Sequence, residues 1–135
     1  MRRSRPARSG VKAAAGAART RARRFGLRAE WIAAALLAAK GYRILARHFL
    51  VAGGEIDLIV KRRETIAFVE VRARADFGDA LASIGRVKQR RIGRAARVWL
   101  SRNPSAINAT LRGDAVLVAR GLPRHVVAAF DLVLE

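Results

Sequence analysis

GGEIDLIVKRRETIAFVEVRAR (residues 53–74) alternates apolar and polar side chains on either side of a charged KRRE connection, the pattern of a β-hairpin. Three acids interrupt it: Glu55 and Asp57 in the first arm, and Glu70 between Val69 and Val71 in the second. Carboxylates enter a core only where something compensates their charge. Because strand side chains alternate, Glu55, Asp57 and Ile59 are expected on one face, and Ile56, Leu58 and Val60 on the other. With KRRE as the loop, Val60 pairs with Thr65, Asp57 lies opposite Phe68, and Glu55 opposite Glu70. Asp57 and Glu70 then become diagonal neighbours, roughly 7–8 Å apart at Cα, with Arg72 on their face. An oxygen-only set of two or three carboxylates suits Mg²⁺ or Mn²⁺, not zinc. The alternative is a structural cluster in which Arg72 neutralises Glu70 without a metal, since edge strands commonly carry charge.

Upstream, FGLRAEWIAAALLAAKG (25–41) reads as a helix closed by Gly41, with an apolar stripe through Leu27, Trp31, Ala34 and Ala38 and Glu30 beside that stripe. YRILARHF is a strand, and VAGG turns it into EIDLIV. Downstream, DFGDALASIG is loop-like, and RVKQRRIGRAARVWL is a second helix with Val87, Ile92, Ala95, Ala96 and Trp99 inward. SRNPSAINAT is a loop. GDAVLVAR and HVVAAFDLVLE are strands around an LPR turn. The order α-β-β-β-α-β-β predicts an α/β domain, a mixed β-sheet flanked by helices. Both tryptophans read as core, and His125 as a strand residue, not a ligand.

The chain has 135 residues, 28 Lys and Arg against 10 Asp and Glu, and a net charge of +18. Polyanions are the expected partners, nucleic acid before an anionic membrane. Residues 1–24 hold nine of the basic residues and no acid, so they read as a disordered basic arm, with 25–135 as the folded domain. An organelle transit peptide shares that composition, but no hydrophobic segment follows to make a secretory signal. The absence of cysteine excludes disulfides and thiolate metal sites, and a reducing, cytoplasmic compartment fits. No apolar run approaches the roughly 18 residues that span a bilayer.

In the second helix Arg86, Arg90, Arg94 and Arg97 repeat at helical spacing, widened by Lys88 and Arg91. No acid lies between Asp79 and Asp114 to balance them. With Lys61, Arg62 and Arg63 of the hairpin loop they make a phosphate-contacting surface, led by backbone or shape because no base-reading motif is present.

GLRAEWIAAALLAAKGYRIL, GEIDLI, FVEVRAR, DFGDALASIGRVKQRRI and, more weakly, RGD (112–114) and HVVAAF together resemble the YraN-type family of small bacterial proteins, over Phe25 to Phe130. That family looks like part of the PD-(D/E)xK nuclease superfamily. GEID followed by FVEV at this spacing is the specific piece. The resemblance implies a restriction-endonuclease-like core similar to Holliday junction resolvases, with DNA favoured over RNA as the partner, and such chemistry would favour a two-fold dimer. It also implies Asp57 and Glu70 as ligands of a catalytic Mg²⁺ or Mn²⁺, with Glu30 completing the site and Glu55 as an outer ligand or hairpin anchor. Arg72 stands where the superfamily has lysine. A guanidinium can hold a phosphate oxygen but keeps its proton, so it cannot be a general base. The rival expectation is a DNA- or RNA-binding protein that keeps this fold without turnover.

Overall fold

A computed structural model of the chain describes residue 16 and residues 26–134. The basic arm expected over 1–24 lies, Gly16 apart, outside the described residues. Helix α1 covers 26–39. Gly41 ends it with a φ of +89°, left-handed backbone that glycine adopts without steric cost. Tyr42 N–H then folds back onto the Leu37 carbonyl at 3.0 Å, a Schellman closure. Ala29, Ala33, Ala34 and Leu37 are buried. The expected stripe is therefore rotated, with Leu27, Trp31 and Ala38 exposed. Trp31 is two residues from both Ala29 and Ala33, roughly 200° around the helix, so it faces away from the sheet. It is 64% exposed, and the Arg47 guanidinium lies 4.5 Å from its ring centroid.

Strands β1 (Arg43–Val51), β2 (Gly54–Arg62), β3 (Thr65–Ala73), β4 (Thr110–Ala119) and β5 (Leu122–Phe130) form one sheet in that order. Neighbours are antiparallel except β3 and β4, which run parallel. The crossover between those two carries α2 (Phe77–Ala82), α3 (Arg86–Arg102) and a 3₁₀ turn (Pro104–Asn108). The result is the expected mixed sheet flanked by helices. On one face Ile92, Ala95, Ala96 and Trp99 of α3 pack on Ile56, Ile59, Ile66, Phe68 and Leu117, with Trp99 edge-on to Phe68 at 5.9 Å. On the other, α1 packs on Leu58, Val60, Ala67, Val69, Val116 and Val118. Trp99 is core as expected; Val87 is exposed.

Three local expectations are corrected. The β2–β3 turn takes two residues, so Arg62 pairs with Thr65 and Ile59 with Phe68. This slides the strands by two residues from the expected pairing, which changes each residue's partner but not its face on β3. Segment 76–85 is loop only at its ends: Phe77–Ala82 is helical, and the Asp76 carboxylate accepts the Asp79 N–H at 2.7 Å and caps α2. The last hairpin turns at Arg120 and Gly121, both at positive φ (53° and 75°), not at LPR. Pro123 lies within β5, an edge strand, where its missing N–H is tolerated. No described helix is long and apolar enough to cross a membrane.

Candidate active site

The sheet loses its regular pairing where the acids lie. β1 and β2 pair Arg47 with Leu58 and Phe49 with Ile56, leaving His48 and Asp57 between them without ladder partners. His48 has a φ of 47°, uncommon for a residue with a side chain. Across this break the faces exchange: Leu58 packs on the α1 side and Ile56 on the α3 side. Ile56, Leu58 and Val60 therefore do not share a face, contrary to the strict alternation. The β2–β3 ladder also stops at Leu58 and Val69. Beyond it the Asp57 side chain takes over a strand's role, its Oδ2 accepting the Val71 N–H at 2.8 Å. Asp57 stands where the two faces meet.

Glu70 reaches the same place from β3, its side chain only 3% exposed. Arg72 Nε lies 3.1 Å from Glu70 Oε1, yet the pair is not aligned as a hydrogen bond, and Glu70 Oε2 is buried without a partner. Lys88, in the first turn of α3, bonds Glu55 and holds its Nζ 3.6 Å from Glu70 Oε1. Glu30 arrives from α1 and pairs with His48. A cavity of about 280 Å³ opens over this group, with Gly26, Ala29, Glu30, Asp57, Glu70 and Arg72 in its wall. The structure thus brings together Glu30, Asp57, Glu70 and Arg72, with Glu55 joined through Lys88.

Burial and then the Asp57 charge push the Glu70 carboxyl up to about 8, more than Lys88 and Arg72 pull it down. Asp57 is raised by burial, against the opposing pull of the Val71 N–H. Glu30 is raised by burial and by Asp57. Glu55 is held below the usual range, chiefly by its bond to Lys88. The central pair is therefore short of positive charge and the outer carboxylate is not. Among the described residues, no three His, Asp or Glu side chains converge as a ready cage for an ion. What the site offers is the Asp57–Glu70 pair. Mg²⁺ is commonly held by one or two carboxylates, with waters and substrate oxygens filling the rest of its shell. The orphaned Glu70 Oε2 fits that demand for a cation.

Arg86, Arg90, Arg91, Arg94 and Arg97 are all exposed along α3. Arg91 is near enough to Glu55 to lower its pKa, so the basic face begins beside the acids. Lys88 is not part of that face; it turns to Glu55 and Glu70. Its position was legible: 88, 92 and 96 recur at helical spacing on the buried side. His48 carried no such signal, because nothing in YRILARHF marks its left-handed backbone. The hairpin cations separate. Lys61 lines a pocket with Arg43 and Trp99, and Arg62 and Arg63 line another with Lys40. His125 lies in β5 as expected, and its Nε2 is 2.7 Å from the buried Asp114 carboxylate.

The family model described as "Uncharacterised protein family UPF0102" matches residues 29–118. A UPF0102 protein of Methylorubrum extorquens (strain PA1) is 55% identical over 118 residues, 87% of this chain and 92% of the relative. Another, from Rhodopseudomonas palustris (strain BisB18), is 50% identical over 132 residues, 97% of this chain and 98% of the relative. The matched segment contains Glu30, Glu55, Asp57, Glu70, Arg72 and Lys88.

Proposed function

The chain belongs to the uncharacterised protein family UPF0102, the YraN-type family its motifs resemble, and we propose that it is a nucleic-acid-binding protein with a Mg²⁺-dependent, endonuclease-like site for DNA phosphodiesters. The observation that carries this reading is the buried Glu70 carboxylate beside Asp57, with its Oε2 unpartnered and both residues in the wall of one cavity. A divalent ion held by Asp57 and Glu70 would supply Lewis-acid polarisation of the phosphate and a lowered pKa for the attacking water. Arg72 keeps its proton, so its work is to hold a phosphate oxygen against the charge that builds there. Lys88, its Nζ 3.6 Å from Glu70 Oε1, would stand in for the lysine missing at position 72, reaching Glu70 from α3 instead of β3. Glu30, released from His48, would be the third carboxylate. The exposed α3 arginines would carry the strand's phosphates up to the site.

A second reading, binding without turnover, is favoured by the pairing of Glu30 with His48 and of Glu55 with Lys88, which occupies two of the four acids. Calorimetric titration with Mn²⁺ separates them. One saturable site is expected in the wild type, lost in Asp57→Ala and Glu70→Gln. Nicking of a branched DNA substrate should then need Mg²⁺ or Mn²⁺ and fall at least about 100-fold in Lys88→Ala, the usual scale for a proton-transfer or charge-stabilising group. A wild type that shows no saturable Mn²⁺ heat would sink the nuclease reading and leave the binding one.

A further inference from the structure

A second group of cations lies at the far end of α1. From Glu30 to Lys40 the helix direction advances ten residues, roughly 15 Å, so this place is separate from the carboxylates. Here the end of α1, the β2–β3 turn and the start of β4 enclose an open pocket of about 520 Å³ lined by Lys40, Tyr42, Arg62, Arg63, Thr65 and Arg112. Four of these six are cations and none is an acid. Like charges repel when gathered, so such a lining costs stability unless an anion joins it.

Two of the guanidinium groups are fixed in advance. Arg112 is held fork to fork by Asp114, Nε to Oδ1 at 2.7 Å and Nη2 to Oδ2 at 2.8 Å. Asp114 is fully buried and is itself anchored by His125 Nε2 and by the Ala128 N–H at 3.0 Å. Arg62 lies over the Tyr42 ring, 4.5 Å from its centroid, and donates from Nη1 to the Lys40 carbonyl at 3.1 Å. The Tyr42 hydroxyl accepts from Arg112 Nη2 at 2.7 Å, which leaves its own proton to donate outward. The carbonyls at the end of α1 oppose an anion in principle. Here those of Leu36, Leu37 and Ala38 are taken by the Schellman turn, and that of Lys40 by Arg62.

A purely structural account covers Arg112, whose charge Asp114 balances. It does not balance the charges of Lys40, Arg62 and Arg63: Lys40 Nζ bonds His125 Nδ1 and Arg62 the Lys40 carbonyl, but none of the three forms an ion pair with a carboxylate among the described residues. Glu64, in the same turn, pairs with none of them either. We propose that this pocket is a phosphate-binding site, in which Arg62, Arg63 and Arg112 surround a phosphate group with the Tyr42 hydroxyl donating to it. Its fixed guanidinium groups lower the ordering cost of binding. The phosphate belongs either to a nucleic-acid strand or to a free phosphate compound, and the chemistry of recognition is the same for both.

The test is calorimetric titration of the full chain with inorganic pyrophosphate. One saturable site is expected, weakened at least about tenfold (about 1.4 kcal/mol) in Arg62→Gln and in Arg63→Gln. These side chains are exposed, so neither variant depends on the buried Asp114 cluster for folding. Arg94→Gln combined with Arg97→Gln removes charge from α3 and is expected to leave that site unchanged, as is Asp57→Ala. A single-stranded oligonucleotide that displaces pyrophosphate makes the source a strand phosphate. Pyrophosphate binding that persists under saturating oligonucleotide makes it a free compound. Either result upholds the site. Absence of saturable binding, or equal weakening by the α3 pair, overturns it without touching the reading of the carboxylates.

Discussion

Glu70 is a buried acid whose folded environment favours its protonated form. Burial, then the charge of Asp57, lift it from 4.5 to about 8. The folded state therefore holds that proton more tightly than the unfolded chain does. Stability from this group is fully present below about pH 4.5 and is lost as the pH rises through about 8. Glu70→Gln removes the titration while keeping the shape. Near pH 5 the two proteins should be close in stability; near pH 9 the variant should be the more stable by about 1–3 kcal/mol, the cost of a poorly compensated buried charge. Urea unfolding at the two pH values measures this, and a gap that stays constant with pH would contradict it. Mn²⁺ should reverse the trend in the wild type alone, because an ion between Asp57 and Glu70 favours the ionised carboxylates.

At the scale of elements, the site exists because β2 approaches α3 closely. A Cβ at Gly54 would lie 2.7 Å from the Arg91 carbonyl oxygen and 2.9 Å from the Ala95 nitrogen, both backbone atoms of α3. Gly54→Ala must push the helix off the strand, and Lys88 leaves Glu55 and Glu70 with it. The expected result is a loss of about 1–3 kcal/mol in urea unfolding, the usual cost of overpacking, together with weaker Mn²⁺ binding. Unchanged stability would mean that α3 gives way freely and does not fix the position of Lys88. Gly93 keeps a second close approach, since a Cβ there would meet the Val133 carbonyl oxygen at 2.0 Å. The two glycines let backbone come close to α3, β2 through Gly54 and the segment at Val133 through Gly93.

For the whole molecule, charge decides how it meets a partner. The net charge of +18 belongs to the full chain, but the exposed α3 arginines are the part that lies beside the acids. If they contact phosphates, binding of duplex DNA should weaken with a log–log salt slope of about −0.9 per contact. Neutralising Arg90 and Arg94 together should reduce that slope by about 2 for every sequence alike, since phosphate contacts carry no base information. Fluorescence anisotropy over a salt series measures the slope. A slope that the double variant leaves unchanged would move the binding face away from α3.

Much of this was readable in the residues themselves. Gly41 ended α1, Ile92, Ala95, Ala96 and Trp99 marked the inner side of α3, and the alternation in 53–74 drew the hairpin that holds the acids. These are local matters, set by backbone sterics and by which side chains avoid water. GEID and FVEV likewise singled out Asp57 and Glu70. Trp31 was misread because α1 packs through small alanines, and only the sheet beneath decides which apolar residues of an alanine-rich helix are covered. The register was misread because turn length is set by the backbone of Arg63, at a φ of 54°, not by the polarity of KRRE. The break at His48 and Asp57, the turn of Lys88 toward Glu70 and the fixing of Arg112 by Asp114 and His125 needed the tertiary structure. Each joins residues far apart in the chain, and their energy comes from burial that exists only once sheet and helices have met.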